Sequence, residues 1–225
     1  MLLGININYL DLKNNLTEFV SVLSKSGANS VTVRLSDDLS DFDENIFNSL
    51  KKIEGIKINL KIPLSAGLRE TVLKLKPHAC YIISETENNR KDYTMNIAGQ
   101  MAKIISFIGP LFLRGISPVP FISAEFEQIE AAANSGVGFI ELNSAPYAES
   151  FGKENEQYEF EKLKRAAEFA QKKNLAVTIG QGINYKNVIR ILEIDSLYEL
   201  NIGHEFSERP SVTEACLREI KALID

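Results

Sequence analysis

Two hydrophobic periods alternate along this chain, and that alternation constrains its fold more than any single motif. Leu2-Leu3-Gly4-Ile5-Asn6-Ile7 is a short apolar run with strand character, and after it Leu16, Phe19, Val20 and Leu23 recur at helical spacing. Residues 30–35 are β-branched and read as a second strand, followed by a helix over 42–53 with Asp41 as its N-cap. Residues 56–62 form a third strand, and Leu68, Val72 and Leu75 line a helix that Pro77 stops. A fourth strand at 79–83 precedes a helix from Met95 to Ile108. The fifth strand, 116–122, carries Pro118 and Pro120, which lower its expected regularity. Phe126, Ile129 and Ala133 line the next helix. Strand six at 139–142 leads through a loop of about a dozen polar and small residues to a helix over 158–173. Strand seven at 175–179, a helix over 185–192, strand eight at 198–202 and a helix over 212–224 complete the chain.

Eight strand–helix units in 225 residues, with no break in composition, predict a single-domain α/β fold, a (β/α)8 TIM barrel over residues 1–225. A doubly wound open sheet also alternates, but usually with fewer strands in this length. Composition narrows the partners. A hydrophobic fraction of 44% with 24% charged residues is that of a folded protein, and a net charge of -5 argues against nucleic acid. No apolar run approaches the roughly 20 residues of a membrane helix. The opening Met1-Leu2-Leu3-Gly4 lacks the basic start of a signal peptide, so a cytoplasmic protein with no membrane partner is expected. Cys80 and Cys216 sit in apolar contexts and read as reduced core residues. With no metal-ligand spacing, no Walker loop and no G-x-G-x-x-G after a strand, no metal and no cofactor is expected.

A barrel of this kind keeps its chemistry at the C-terminal ends of its strands. Strand one delivers Asn6 and Asn8 there, strand two Arg34 and Ser36, and strand three Asn59 and Lys61. Strand six contributes Glu141 and Asn143, strand seven Gly180-Gln181-Gly182, and strand eight Gly203-His204. Glycines at these last two ends let backbone N–H groups approach an anion, although they equally suit tight turns. Arg34 and Lys61 add positive charge to the same mouth and favour a phosphorylated small molecule or inorganic phosphate. The competing arrangement is an ion pair with Glu141 that plugs the barrel. His204, directly after a strand-eight glycine, is placed to touch a phosphate or a reacting group, whereas His78 reads as a surface residue on the opposite rim.

Several segments resemble pyridoxine 5′-phosphate synthase, in order along nearly the whole chain. They include Leu3-Gly4-Ile5-Asn6-Ile7, Val31-Thr32-Val33-Arg34-Leu35, Phe139-Ile140-Glu141-Leu142 and Gly182-Ile183-Asn184-Tyr185. Glu199-Leu200-Asn201-Ile202-Gly203-His204 is the most specific of them. The resemblance implies a cytoplasmic (β/α)8 barrel that forms a homo-oligomer. It also implies condensation of 1-deoxy-D-xylulose 5-phosphate with 3-amino-2-oxopropyl phosphate into pyridoxine 5′-phosphate, a step of vitamin B6 biosynthesis. By the same resemblance Asn6 matches a substrate-binding asparagine, Glu141 matches the family's strand-six glutamate and counts among the catalytic positions, and Gly182 and Gly203-His204 match phosphate-binding elements. Other positions depart from the pattern. An Asp-His pair is replaced by Asn8 and Tyr9, a catalytic histidine by Arg34, and a substrate-binding arginine by Ser36. A loop histidine becomes Asp41, the catalytic glutamate Lys61, and the catalytic histidine after strand seven Gln181.

Ring closure needs groups that exchange protons near neutral pH. Arginine does not release its proton in a protein, and glutamine has none to exchange. Three readings follow. The first is a non-catalytic or repurposed barrel that still binds a phosphorylated small molecule. The second is an enzyme, either retaining the family's synthesis or using Lys61 as a desolvated, neutral amine for other chemistry. The third is a structural or regulatory partner of an active homologue.

Overall fold

The strands run Leu2–Asn8 (β1), Ser30–Arg34 (β2), Lys57–Pro63 (β3), Ala79–Ile83 (β4), Ser117–Ile122 (β5), Phe139–Asn143 (β6), Ala176–Gly180 (β7) and Glu199–Ile202 (β8). In the computed structural model each pairs in parallel with the next, and β8 returns to β1 to close an eight-stranded barrel. The structure describes residues 1–8, 15–35, 42–85, 93–195, 197–203 and 210–224, without the side chains of Asn8, residues 210–214 and Cys216. Among the described residues no helix is long and apolar enough to cross a membrane.

Strand side chains alternate between two faces, and here the two faces differ sharply. Leu3, Ile5, Val31, Val33, Leu60, Ile62, Val177 and Ile179 join Val20, Val72, Ile129 and Ala166 from the helices in one apolar layer around the barrel. The other face fills the barrel itself. Ala79, Tyr81 and Val119, with Phe139 against them, form a small second cluster. Much of the remaining interior is polar, with Ser30, Thr32, Asn59, Glu141, Thr178, Glu199 and Asn201 all buried. Branched apolar side chains usually dominate this space, so the polar filling needs internal partners. Asn59 shows how they are supplied: its Nδ2 donates to Thr32 Oγ1 at 3.3 Å and its Oδ1 accepts from the Ala79 amide at 3.1 Å. Cys80 is a free, buried thiol, as expected, while the Cys216 side chain lies outside the description.

Local hydrogen bonding moves several helix boundaries from their expected positions. The helix after β2 is Glu44–Leu50, capped by Asp43, whose side chain accepts from the Asn45 amide at 2.8 Å. Asp41, the expected cap, lies outside the described residues. The helix expected over 95–108 instead begins with a 3-10 turn at Ala98–Gln100 and continues as Met101–Leu113. Gln128 Oε1 takes the Ile97 amide at 2.7 Å and the Ala98 amide at 3.3 Å, which delays the α-helical ladder. The segment expected as a loop after β6 contains the helix Ala145–Ser150, started by Asn143 Oδ1 accepting from the Ala145 amide at 2.9 Å. The helix expected over 185–192 contracts to Val188–Ile191. Asn184 Oδ1 accepts from the Lys186 amide and Asn187 Oδ1 from the Asn184 amide, and these local bonds compete with a helical turn.

β5 is more regular than its prolines suggest. Ser117 donates its amide to the His78 carbonyl beside β4, so residues 118 and 120 face their backbone nitrogens toward β6. Prolines have no N–H to place there, and the β5–β6 register is accordingly short, Phe121↔Glu141 and Ile122↔Leu142.

Candidate functional site at the strand C-termini

Arg34 and Lys61 are register partners on β2 and β3, so their side chains leave the sheet on the same face. Their electrostatic situations are nonetheless different. Lys61 crosses the interior to Glu141 on β6, its Nζ donating to Oε2 at 2.5 Å. The ammonium lies 4.5 Å from the ring centre of Phe121 and 5.9 Å from that of Tyr81. Glu141 is completely buried, and Asn201 on β8 donates to its second oxygen at 2.9 Å. A carboxylate so far from water needs both partners. The plugging ion pair anticipated from the sequence is therefore present, but through Lys61 alone.

The Arg34 guanidinium instead lies 4.3 Å from the ring centre of Tyr93, and among the described residues it has no carboxylate partner. Around these two cations stand the strand ends. Gly203 follows β8 so closely against β1 that an added Cβ would meet Asn6 Cβ at 2.8 Å. Asn6 Oδ1 is buried there, and among the described residues it has no hydrogen-bond partner. After β7, Gln181 and Gly182 both have positive φ, 84° and 79°. Glycine suits such a turn, whereas a residue with a Cβ resists it by about 1–2 kcal/mol. The turn is tied to the end of β6, because Ser144 Oγ lies 2.7 Å from the Gly180 carbonyl and 2.8 Å from that of Gln181. Asn187 Nδ2 donates to the Gly182 carbonyl at 3.0 Å.

The structure thus gathers Asn6, Arg34, Lys61, Glu141, Gln181, Gly182 and Gly203 at one end of the barrel. Asn8 stands opposite Arg34 in the β1–β2 register, while Ser36, Tyr9 and His204 lie outside the described residues.

Deeper in the barrel is a second buried carboxylate, one not among the residues expected at the strand ends. Glu199 Oε1 accepts from Ser30 Oγ at 2.6 Å, and its Oε2 accepts from Tyr81 Oη at 3.0 Å. Burial pushes its carboxyl above the usual range, against the pull of these two hydroxyls. Burial also raises the Tyr81 phenol, with the Glu199 and Glu141 charges acting in the same direction, so Tyr81 remains a donor. The signal was available: Glu199 and Asn201 alternate with Leu200 and Ile202, which assigns them to the inner face. At this lower end, Lys57, Asn59, His78, Tyr198 and Glu199 line a small pocket. His78 is exposed, as expected, and its pKa is lowered by partial burial and by Lys57.

Known proteins agree with this architecture. The family described as pyridoxal phosphate biosynthesis protein PdxJ matches residues 12–223. A pyridoxine 5′-phosphate synthase of Aliivibrio fischeri is 30% identical over 218 residues, covering 93% of this chain and 90% of its own. One from Idiomarina loihiensis is 26% identical over 234 residues, covering 99% and 97%. Among solved structures, a tryptophan synthase α-subunit from Pyrococcus furiosus superposes with a TM-score of 0.70 at 13% identity, covering 99% of this chain and 97% of its own. A 4-hydroxy-2-oxoglutarate aldolase from TTHB1 gives 0.69 at 15%, covering 99% and 94%. At such identities these two likenesses concern the fold alone.

Proposed function

Because the chain belongs to the pyridoxal phosphate biosynthesis protein PdxJ family, we propose that it is a pyridoxine 5′-phosphate synthase-like barrel that binds a phosphorylated small molecule and has given up the family's ring closure. The observation that carries this reading is the asymmetry of the mouth's two cations. Lys61 is neutralised by Glu141, while Arg34 has no acid partner among the described residues and remains available to an anion. Gly182 and Gly203 add strand ends from which backbone groups can approach a phosphate, and His204 follows directly in the chain. Against ring closure stand Arg34, Lys61 and Gln181, at positions where the resemblance implies proton-exchanging groups. The retained Glu141 and the names of the relatives favour the other reading, a working synthase of vitamin B6 biosynthesis.

Two measurements separate these readings. Purified protein given 1-deoxy-D-xylulose 5-phosphate and 3-amino-2-oxopropyl phosphate is expected to make no pyridoxine 5′-phosphate. The variant combining Arg34→His, Lys61→Glu and Gln181→His serves as its comparator. Turnover by the unaltered protein at an ordinary enzyme rate overturns the proposal. Inorganic phosphate or a sugar phosphate at a hundred times Kd should stabilise the protein by about 2.7 kcal/mol. For a chain of this size that is a rise in melting temperature of roughly 5–10 °C. Arg34→Ala should remove most of that rise, and His204→Ala should weaken it.

A further inference from the structure

We propose that Lys61 is a carbonyl-capturing amine, forming a Schiff base with a small phosphorylated aldehyde or ketone while Glu141 carries the proton. The phosphate half of this ligand rests on the binding site inferred above; the covalent half rests on separate geometry. Lys61 projects into the mouth with a side chain only 13% exposed, and its partner Glu141 is not exposed at all. Nζ and Oε2 meet at 2.5 Å with little access to water, so the carboxylate is placed to receive the ammonium's proton directly along that hydrogen bond as the amine attacks. Asn201 holds the other Glu141 oxygen and fixes the carboxylate in position to take that proton and return it. Phe121 and Tyr81 flank the nitrogen with ring surface and keep bulk water from one side of it. Arg34 stands beside Lys61 in the strand register, and neighbouring strands lie about 4.8 Å apart. Adjacent strands thus offer a cation and an amine to a short chain with phosphate at one end and a carbonyl near the other.

The step balances with these groups alone. Lys61 passes a proton to Glu141, and its lone pair attacks the carbonyl carbon as the C=O π pair moves to oxygen. A proton moves from nitrogen to that oxygen to give the carbinolamine. Glu141 then protonates the hydroxyl, the C–O bond breaks, water departs, and the nitrogen lone pair forms the C=N bond. One ammonium and one carbonyl compound become one iminium and one water. The iminium keeps the positive charge beside the restored Glu141 carboxylate, and no oxidant or reductant takes part.

The test is borohydride trapping of the whole protein with dihydroxyacetone phosphate and, at higher concentration, with dihydroxyacetone. Sites are read by peptide mass spectrometry, and binding is followed in parallel by thermal shift. Lys61 should carry the reduced adduct at least about tenfold faster than the exposed Lys76 and Lys153. Lys61→Arg should retain the thermal shift and lose the adduct at that position. Glu141→Gln should slow capture by about a hundredfold. A thermal shift with Lys61 unlabelled overturns the Schiff base and leaves the binding reading standing. Labelling by dihydroxyacetone but not by its phosphate supports the amine and removes the phosphate site instead. Labelling of Lys61 no faster than the exposed lysines, or with neither compound, overturns the proposal.

Discussion

Among the described residues, the barrel interior holds two buried glutamates in unlike settings. Glu141, toward the C-terminal mouth, is met by an ammonium and an amide; Glu199, toward the opposite end, is met by the hydroxyls of Ser30 and Tyr81. Glu141 sits in a site built around a charge. Around Glu199, burial favours the proton. The same residue type in the same barrel is thus the ion-pair partner of a lysine at one end and the hydrogen-bond partner of two hydroxyls at the other. Partners, rather than depth, set the difference, since both residues are almost inaccessible.

The largest effect should come from breaking the upper pair. Lys61→Met leaves Glu141 buried without its cation and should cost about 3–5 kcal/mol in urea unfolding. Adding Glu141→Leu should recover most of that loss. Failure of the second change to rescue the first would mean that the pair is not the source of the cost. Next comes Gly4, which faces both sites: an added Cβ would overlap Asn201 Oδ1 and approach Ser30 Oγ at 2.9 Å and Glu199 Oε1 at 3.0 Å. Gly4→Ala should therefore destabilise by about 1–3 kcal/mol, the usual cost of overpacking.

The lower glutamate should respond less, and with a distinctive pH dependence. Its folded-state pKa lies above the ordinary 4.5, so between those two values the native protein binds more protons than the unfolded chain. Stability from this group is complete below 4.5 and falls as pH rises through the folded value. Glu199→Gln, which keeps a hydrogen-bonding amide in place of the carboxyl, should cost about 1 kcal/mol or less in acid and gain on the unaltered protein as pH rises. Unfolding curves from pH 5 to pH 8 check this; a stability gap that is flat across that range contradicts it. The smallest change in stability belongs to Arg34→Ala. Loss of its contact with Tyr93 should cost about 0.5–1 kcal/mol, so an intact fold that no longer gains stability from phosphate isolates binding from folding.

Much of this arrangement was legible in the chain. Alternating periods define eight strands and the barrel, because apolar strand faces and helix stripes must bury one another whatever the details of packing. The strand ends that carry Asn6, Arg34, Lys61, Glu141, Gln181, Gly182 and Gly203 follow from the same reading. Helix limits did not, because side chains such as Gln128 and Asn143 capture backbone amides at sites that periodicity does not mark. Nor did the choice between Arg34 and Lys61 as partner of Glu141. Two basic residues of like charge on adjacent strands are equivalent in sequence, and only closure of the barrel places β6 across from β3 and sets Tyr93 beneath Arg34. The polar core around Glu199 likewise joins β1, β2, β4 and β8, elements separated by long stretches of chain. The pattern of residues along the chain specifies the barrel and supplies its cations and carboxylates. Tertiary structure decided which of them neutralise one another, because charge pairing depends on distances across the interior that no local pattern encodes.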